Sequence, residues 1–159
     1  MQTKIDELNR YEEFEQIAFN CARHGKTEDL KIMLNTGMSV DLYDNKGNTL
    51  LMLAAYNGNF ETTKLLIDFG ANIDKKNFKG QTPLGGVCFK GDKKIAELLV
   101  TKGANIYENN GFKTTPLMFA AIFGNYEIVK FFSEIEKNSK ITYSLYLSKF
   151  IYFFKRLFK

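Results

Sequence analysis

Histidine occurs once in this chain of 159 residues, and cysteine and proline only twice each. Two cysteines, Cys21 and Cys88, are too few for a disulfide framework or a zinc ribbon. With His24 the sole imidazole, a structural zinc site is not expected. A nucleophile with a histidine base would have to be built on that one side chain, so no catalytic residue is assigned and the chain reads as a non-enzyme. No run of 18 apolar residues suggests a helix crossing a membrane. Residues 1–10 mix charged and polar side chains with Ile5 and Leu8, without the apolar stretch of a secretory signal. A cytoplasmic location fits these absences.

The last twenty residues, 140–159, lack acids while carrying five basic side chains: Lys140, Lys149, Lys155, Arg156 and Lys159. The other 139 residues hold 17 basic and 18 acidic side chains, so the net charge of +4 belongs to the tail. The body lacks the basic footprint of a nucleic-acid binder.

What the chain does have is a period. Gly25, Gly58, Gly91 and Gly124 are each separated by 33 residues, and Gly37, Gly70 and Gly103 follow twelve residues after the first three. Such a period marks a repeat architecture. The first glycine suits a tight turn between two helices, the second a position just past the end of the second helix. Leu50, Leu51, Leu53, Ala54 and Ala55 precede Gly58, and Thr63, Leu65, Leu66 and Ile67 precede Gly70, which reads as a helix pair. Thr82-Pro83-Leu84 and Thr115-Pro116-Leu117 open helices, because threonine caps and proline is tolerated at the first helical position. Small residues at Ala54 and Ala55, Val87 and Cys88, and Ala120 and Ala121 let neighbouring helices approach.

These motifs, with Gly-Ala-Asn-Ile at 70–73 and 103–106, resemble the ankyrin repeat over residues 11–135. The resemblance implies an all-α solenoid of four helix-turn-helix repeats with β-turn fingers. The repeats fall at about 11–43, 44–76, 77–109 and 110–138 in a domain of residues 1–138, followed by a tail at 139–159. A single repeat cannot bury its own apolar face, so neighbours must stack. Three departures stand out. The family's Thr-Pro-Leu-His histidine is Met52, Gly85 and Met118; its proline is Leu50 in the second repeat; and its turn glycine is Lys113 in the fourth.

The resemblance also places a binding surface on the turn tips and the exposed end of each first helix. Tyr56, Asn57, Phe89, Lys90, Ile122 and Phe123 fall there, as do Arg23 and His24 in the first repeat. The turns add Asn45, Lys46, Phe78, Lys79, Phe112 and Lys113. Aromatic and aliphatic residues at positions expected to meet water form an apolar strip rimmed by lysines, and such patches mark binding sites. The plainer alternative is that some of these rings fold onto their own repeat.

His24-Gly25-Lys26-Thr27 contains the Gly-Lys-Thr of a phosphate loop, but Asn20 stands where that loop's first glycine belongs. No nucleotide site is expected. Cys21 and Cys88 fall at small, buried positions and read as core. The chain further resembles small bacterial ankyrin-repeat proteins that accompany a haem catalase. That likeness, and not the spacing, raises haem as a ligand, with Tyr56 as candidate iron ligand, His24 beside it, Phe89 as a wall and Lys46, Lys79 or Lys90 for the propionates. Catalase would then be the protein partner, in peroxide defence. The rival is a cofactor-free adaptor that binds a protein through the same strip, tyrosine being a common hot spot.

The repeat pattern stops near Phe132, and Glu136 stands where a helix-ending glycine belongs. Between 139 and 159 lie twelve apolar or aromatic side chains, among them Leu145, Ile151, Tyr152, Phe153 and Phe154, which cannot all face water. Three readings stay open: a helical cap on the fourth repeat, a basic interfacial helix on a membrane, or an oligomerisation segment. The cap is favoured over membrane contact.

Overall fold

The computed structural model describes residues 2–111, 113–136, 144, 145, 147–149, 151 and 152, and side chains from residue 9 onward. Phe112 and most of the tail, including Ile141, Tyr143, Tyr146, Phe150, Phe153, Phe154, Leu157 and Phe158, lie outside the described residues.

Among the described residues the repeats yield eight helices in four pairs: α1 (Gln2–His24) and α2 (Thr27–Asn35), α3 (Leu50–Tyr56) and α4 (Phe60–Asp68), α5 (Pro83–Lys90) and α6 (Lys93–Thr101), α7 (Pro116–Ile122) and α8 (Tyr126–Ile135). The fold is an all-α repeat solenoid, and the only β-type pairing among the described residues is an isolated bridge between Tyr43 and Thr49 at the base of a turn finger. Two compact units divide at Asn72/Ile73. In the first, α1 packs on α3 and α2 on α4; in the second, α5 packs on α7 and α6 on α8.

Local chemistry sets the helix starts. The hydroxyls of Thr49, Thr82 and Thr115 accept from the amides of Met52, Gly85 and Met118 at 3.1, 3.1 and 3.2 Å. Each cap contributes about 1 kcal/mol. The missing proline at Leu50 is turned to use: its amide donates to the Leu42 carbonyl at 3.2 Å, a bond proline cannot make. All seven periodic glycines have positive φ, from 70° to 101°. Lys113 also adopts positive φ, 60°, and is alone among the described non-glycine residues in doing so. The family's glycine geometry is kept there without glycine, at a cost of about 1–2 kcal/mol.

The departure at Gly85 has a physical reason. A methyl group there would overlap Oδ1 of Asn110. That buried oxygen accepts from the Thr82 amide at 2.7 Å and from the Thr82 hydroxyl at 3.1 Å, while the Asn110 amide donates to the Glu108 carbonyl at 3.1 Å. The absent side chain leaves room for an asparagine from the next repeat to brace the cap of α5.

The first repeat is longer than its sequence period suggests. It was placed from Tyr11, yet α1 begins at Gln2, and no proline or glycine interrupts the chain before Gly25. Burial begins at Ala18; Tyr11, Phe14 and Ile17 remain exposed. At the other end, Ile151 and Tyr152 stand over the turn after α7. A methyl added to Gly124 would meet Cγ2 of Ile151 at 2.7 Å, and the rings of Tyr126 and Tyr152 lie 6.3 Å apart. Ser148 is fully buried, its hydroxyl donating to the Leu145 carbonyl at 2.9 Å.

Gly85→Ala is expected to lower unfolding free energy by about 2–3 kcal/mol, through overpacking and loss of buried hydrogen bonds. Urea denaturation measures it; a change within ~0.5 kcal/mol would show that Asn110 can move aside freely.

Candidate functional site

The proposed surface is carried by the first helix of each pair and by the turn fingers that precede it. In the first unit, the finger at residues 44–48 is organised by one carboxylate. Asp44 Oδ1 accepts from the amides of Lys46 and Asn48, both at 2.9 Å, and Oδ2 accepts from Asn48 Nδ2 at 3.1 Å and Arg23 at 3.2 Å. Partial burial works against this carboxylate, but the hydrogen bonds from Asn48 and Lys46 and the nearby Arg23 outweigh it and hold its pKa below the ordinary value. Arg23 also lies over the Phe19 ring at 5.9 Å. It is therefore a structural clamp between repeats, and not the freely variable surface position its place in the repeat suggests.

His24 is exposed and donates from Nδ1 to the Asn20 carbonyl at 3.0 Å, since a carbonyl can only accept; this leaves Nε2 toward solvent. Tyr56 is exposed at the end of α3. Asn57 is exposed too, but its amide donates to the Leu53 carbonyl at 2.8 Å and closes that helix. Lys46 is exposed on the finger. Leu50 to Ala55 are all buried, so Tyr56 is the one exposed ring on α3, with polar Asn57 next to it. Among the described residues no three His, Cys, Asp or Glu side chains group to hold a metal ion.

The second unit holds the apolar part of the expected strip. Phe78 is 71% exposed at its finger tip, with Lys79 exposed beside it. The Lys79 and Gln81 amides donate to Asn77 Oδ1, both at 3.0 Å, as their counterparts do to Asp44. Phe89 and Lys90, at the end of α5, and Ile122, at the end of α7, are exposed. Phe123 is not: it is half-buried, meeting Phe89 edge-on at 4.5 Å and stacking over Phe119 at 6.2 Å. This ring folds onto its neighbours, as the plainer alternative allowed. Lys113 is exposed, and Phe112 lies outside the described residues.

Two exposed features were missed in the sequence. Met118 was assigned only as a replacement for the family histidine, yet it is exposed on α7. Tyr11, Phe14 and Ile17 were absorbed into the first repeat, although the unbroken run of helix formers before Ala18 signalled an extension without a partner. The cysteines behave as expected. Both are buried; burial pushes both thiols up, with Asp29 adding at Cys21 and Lys26 opposing. Such thiols are poor nucleophiles.

The family model described as Ankyrin repeats (3 copies) matches residues 18–110 and again 69–143. The chain belongs to the ankyrin-repeat family. No curated protein matches it. Ankyrin repeats are protein-interaction modules, and no helix among the described residues is long and apolar enough to cross a membrane.

Asp44→Asn tests the finger. A carboxylate with a lowered folded-state pKa adds stability above its unfolded pKa of about 3.9, and that contribution is lost as pH falls through the folded value. The variant should cost less than about 1 kcal/mol at neutral pH, since Asn77 does the same work in the next finger. It should also flatten the loss of stability below about pH 4. Thermal melts from pH 7 to pH 3 measure this; parallel curves for variant and parent would remove Asp44 from the acid transition.

Proposed function

We propose that this protein is a non-catalytic adaptor that binds a protein partner through its fingers and first helices. The observation that carries the reading is the exposure of Phe78, Phe89 and Ile122 on those elements, where a folded surface ordinarily presents polar groups. Large apolar side chains in such a place become the buried anchors of an interface. The outer helices expose Lys64, Lys94 and Lys130 together with Ile32 and Ile135.

A narrower version adds haem, held by Tyr56 with His24 near it, and makes a catalase the partner served. It draws on the resemblance to catalase-associated proteins and on the exposure of both side chains. The adaptor does not depend on it.

A photo-crosslinking residue placed at Phe78, Phe89 or Ile122 should give discrete protein adducts in cells, and none when placed at Lys64 or Lys130. Equal labelling from both faces would overturn the adaptor surface. Haemin titration separates the versions: no Soret shift, or one unchanged in Tyr56→Phe, removes haem and leaves the adaptor.

The tail, in this reading, is a cap that closes the fourth repeat, since Ile151 and Tyr152 cover Gly124 and Tyr126. Deleting residues 140–159 should lower the melting temperature and make the body aggregate. A truncated chain that stays monomeric with an unchanged melt would assign the tail elsewhere.

A further inference from the structure

The charges of the second unit are sorted by face. Segments 77–91 and 110–125 together form its fingers and first helices. They contain Lys79, Lys90 and Lys113 and not one aspartate or glutamate. The acids that flank them are engaged within the unit. Glu108 pairs with Lys76 at 2.7 Å. Asp74 accepts from the Asn105 amide at 3.1 Å. Asp92 caps α6, accepting from the Ile95 amide at 3.1 Å. Lys93, on the outer helix, has Glu97 at 3.5 Å and Glu127 at 3.8 Å. The outer layer thus carries both signs, and the finger and first-helix layer only one.

That layer also carries the exposed Phe78, Phe89 and Ile122 and the exposed Met118. Its fourth finger holds the strained Lys113, where glycine would sit without cost. An observed left-handed residue of this kind is grounds for a hypothesis of function at its position.

Resting on the adaptor reading, we propose that the second unit binds an acidic protein segment bearing aromatic or aliphatic anchors: its carboxylates meet Lys79, Lys90 and Lys113, and its apolar side chains lie against Phe89, Ile122 and Met118. Complementary charge of this kind sets partner choice and association rate, and is weakened by salt. A basic segment is repelled by the same lysines.

The test uses the full chain and a fluorescein-labelled peptide of alternating glutamates with leucine and phenylalanine, read by anisotropy. Two further peptides serve as controls, one with lysine for every glutamate and one with serine for every apolar residue. The acidic apolar peptide should bind at least about tenfold more tightly than either control. Lys79→Glu with Lys90→Glu should weaken it about tenfold, the pair of Gln substitutions less, with unchanged circular dichroism in both. Lys113→Gly should weaken binding while raising the urea midpoint, which no general loss of folding can do. Equal affinity for the lysine peptide, or charge reversal without effect, overturns the proposal. So does preferential binding of phosphatidylserine vesicles with the same lysine dependence. Crosslinked adducts at Phe89 and Ile122 to a partner segment lacking acids would overturn it too, and leave the adaptor standing.

Discussion

Every short first helix ends in carbonyls that its own turns cannot satisfy. At α1 and α5 an asparagine from the following repeat supplies the missing donor. Asn59 Nδ2 donates to the Ala22 and Arg23 carbonyls at 2.8 and 3.0 Å. Asn125 Nδ2 donates to Cys88 at 2.6 Å and more weakly to Phe89 at 3.4 Å. The approach is close enough that a methyl at Gly25 would lie 2.9 Å from Asn59 Oδ1, and one at Gly91 2.6 Å from Asn125 Oδ1. Gly25 and Gly91 are thus set twice, by positive φ and by the asparagine that must come near. Asp92 holds the same repeat position as Asn59 and Asn125, but a carboxylate has no N–H to give; it caps its own helix instead.

The bridging asparagine fixes what can be exposed. It holds the end of α1 against the second pair and the end of α5 against the fourth, so the residues just before Gly25 and Gly91 are displayed on a rigid support. His24 and Phe89 are displayed in this way. Sites on rigid elements keep their geometry better than sites on loops. The fingers gain similar rigidity from a single Asp44 or Asn77 side chain that ties two amides of the turn.

The repeat count, helix starts and buried cysteines were legible because each is written in a local rule repeated every 33 residues. What was not legible depends on pairs far apart in the chain. Nothing in the period told that Gly85 makes room for Asn110, or that Arg23 would be drawn to Asp44, 21 residues away. Phe123 and Ile122 are adjacent and equally apolar, and only the position of Phe89 and Phe119 decides that Phe123 folds in while Ile122 stays out. The length of α1 was missed for a different reason: the repeat frame set an upstream limit at Tyr11 that helix propensity does not respect.

Departures from the repeat pattern therefore separate into two kinds. Leu50 and Gly85 are compensated: the first gains a hydrogen bond to Leu42, the second a buried asparagine brace. Lys113 is of another kind: it keeps the left-handed turn geometry that glycine would adopt without cost.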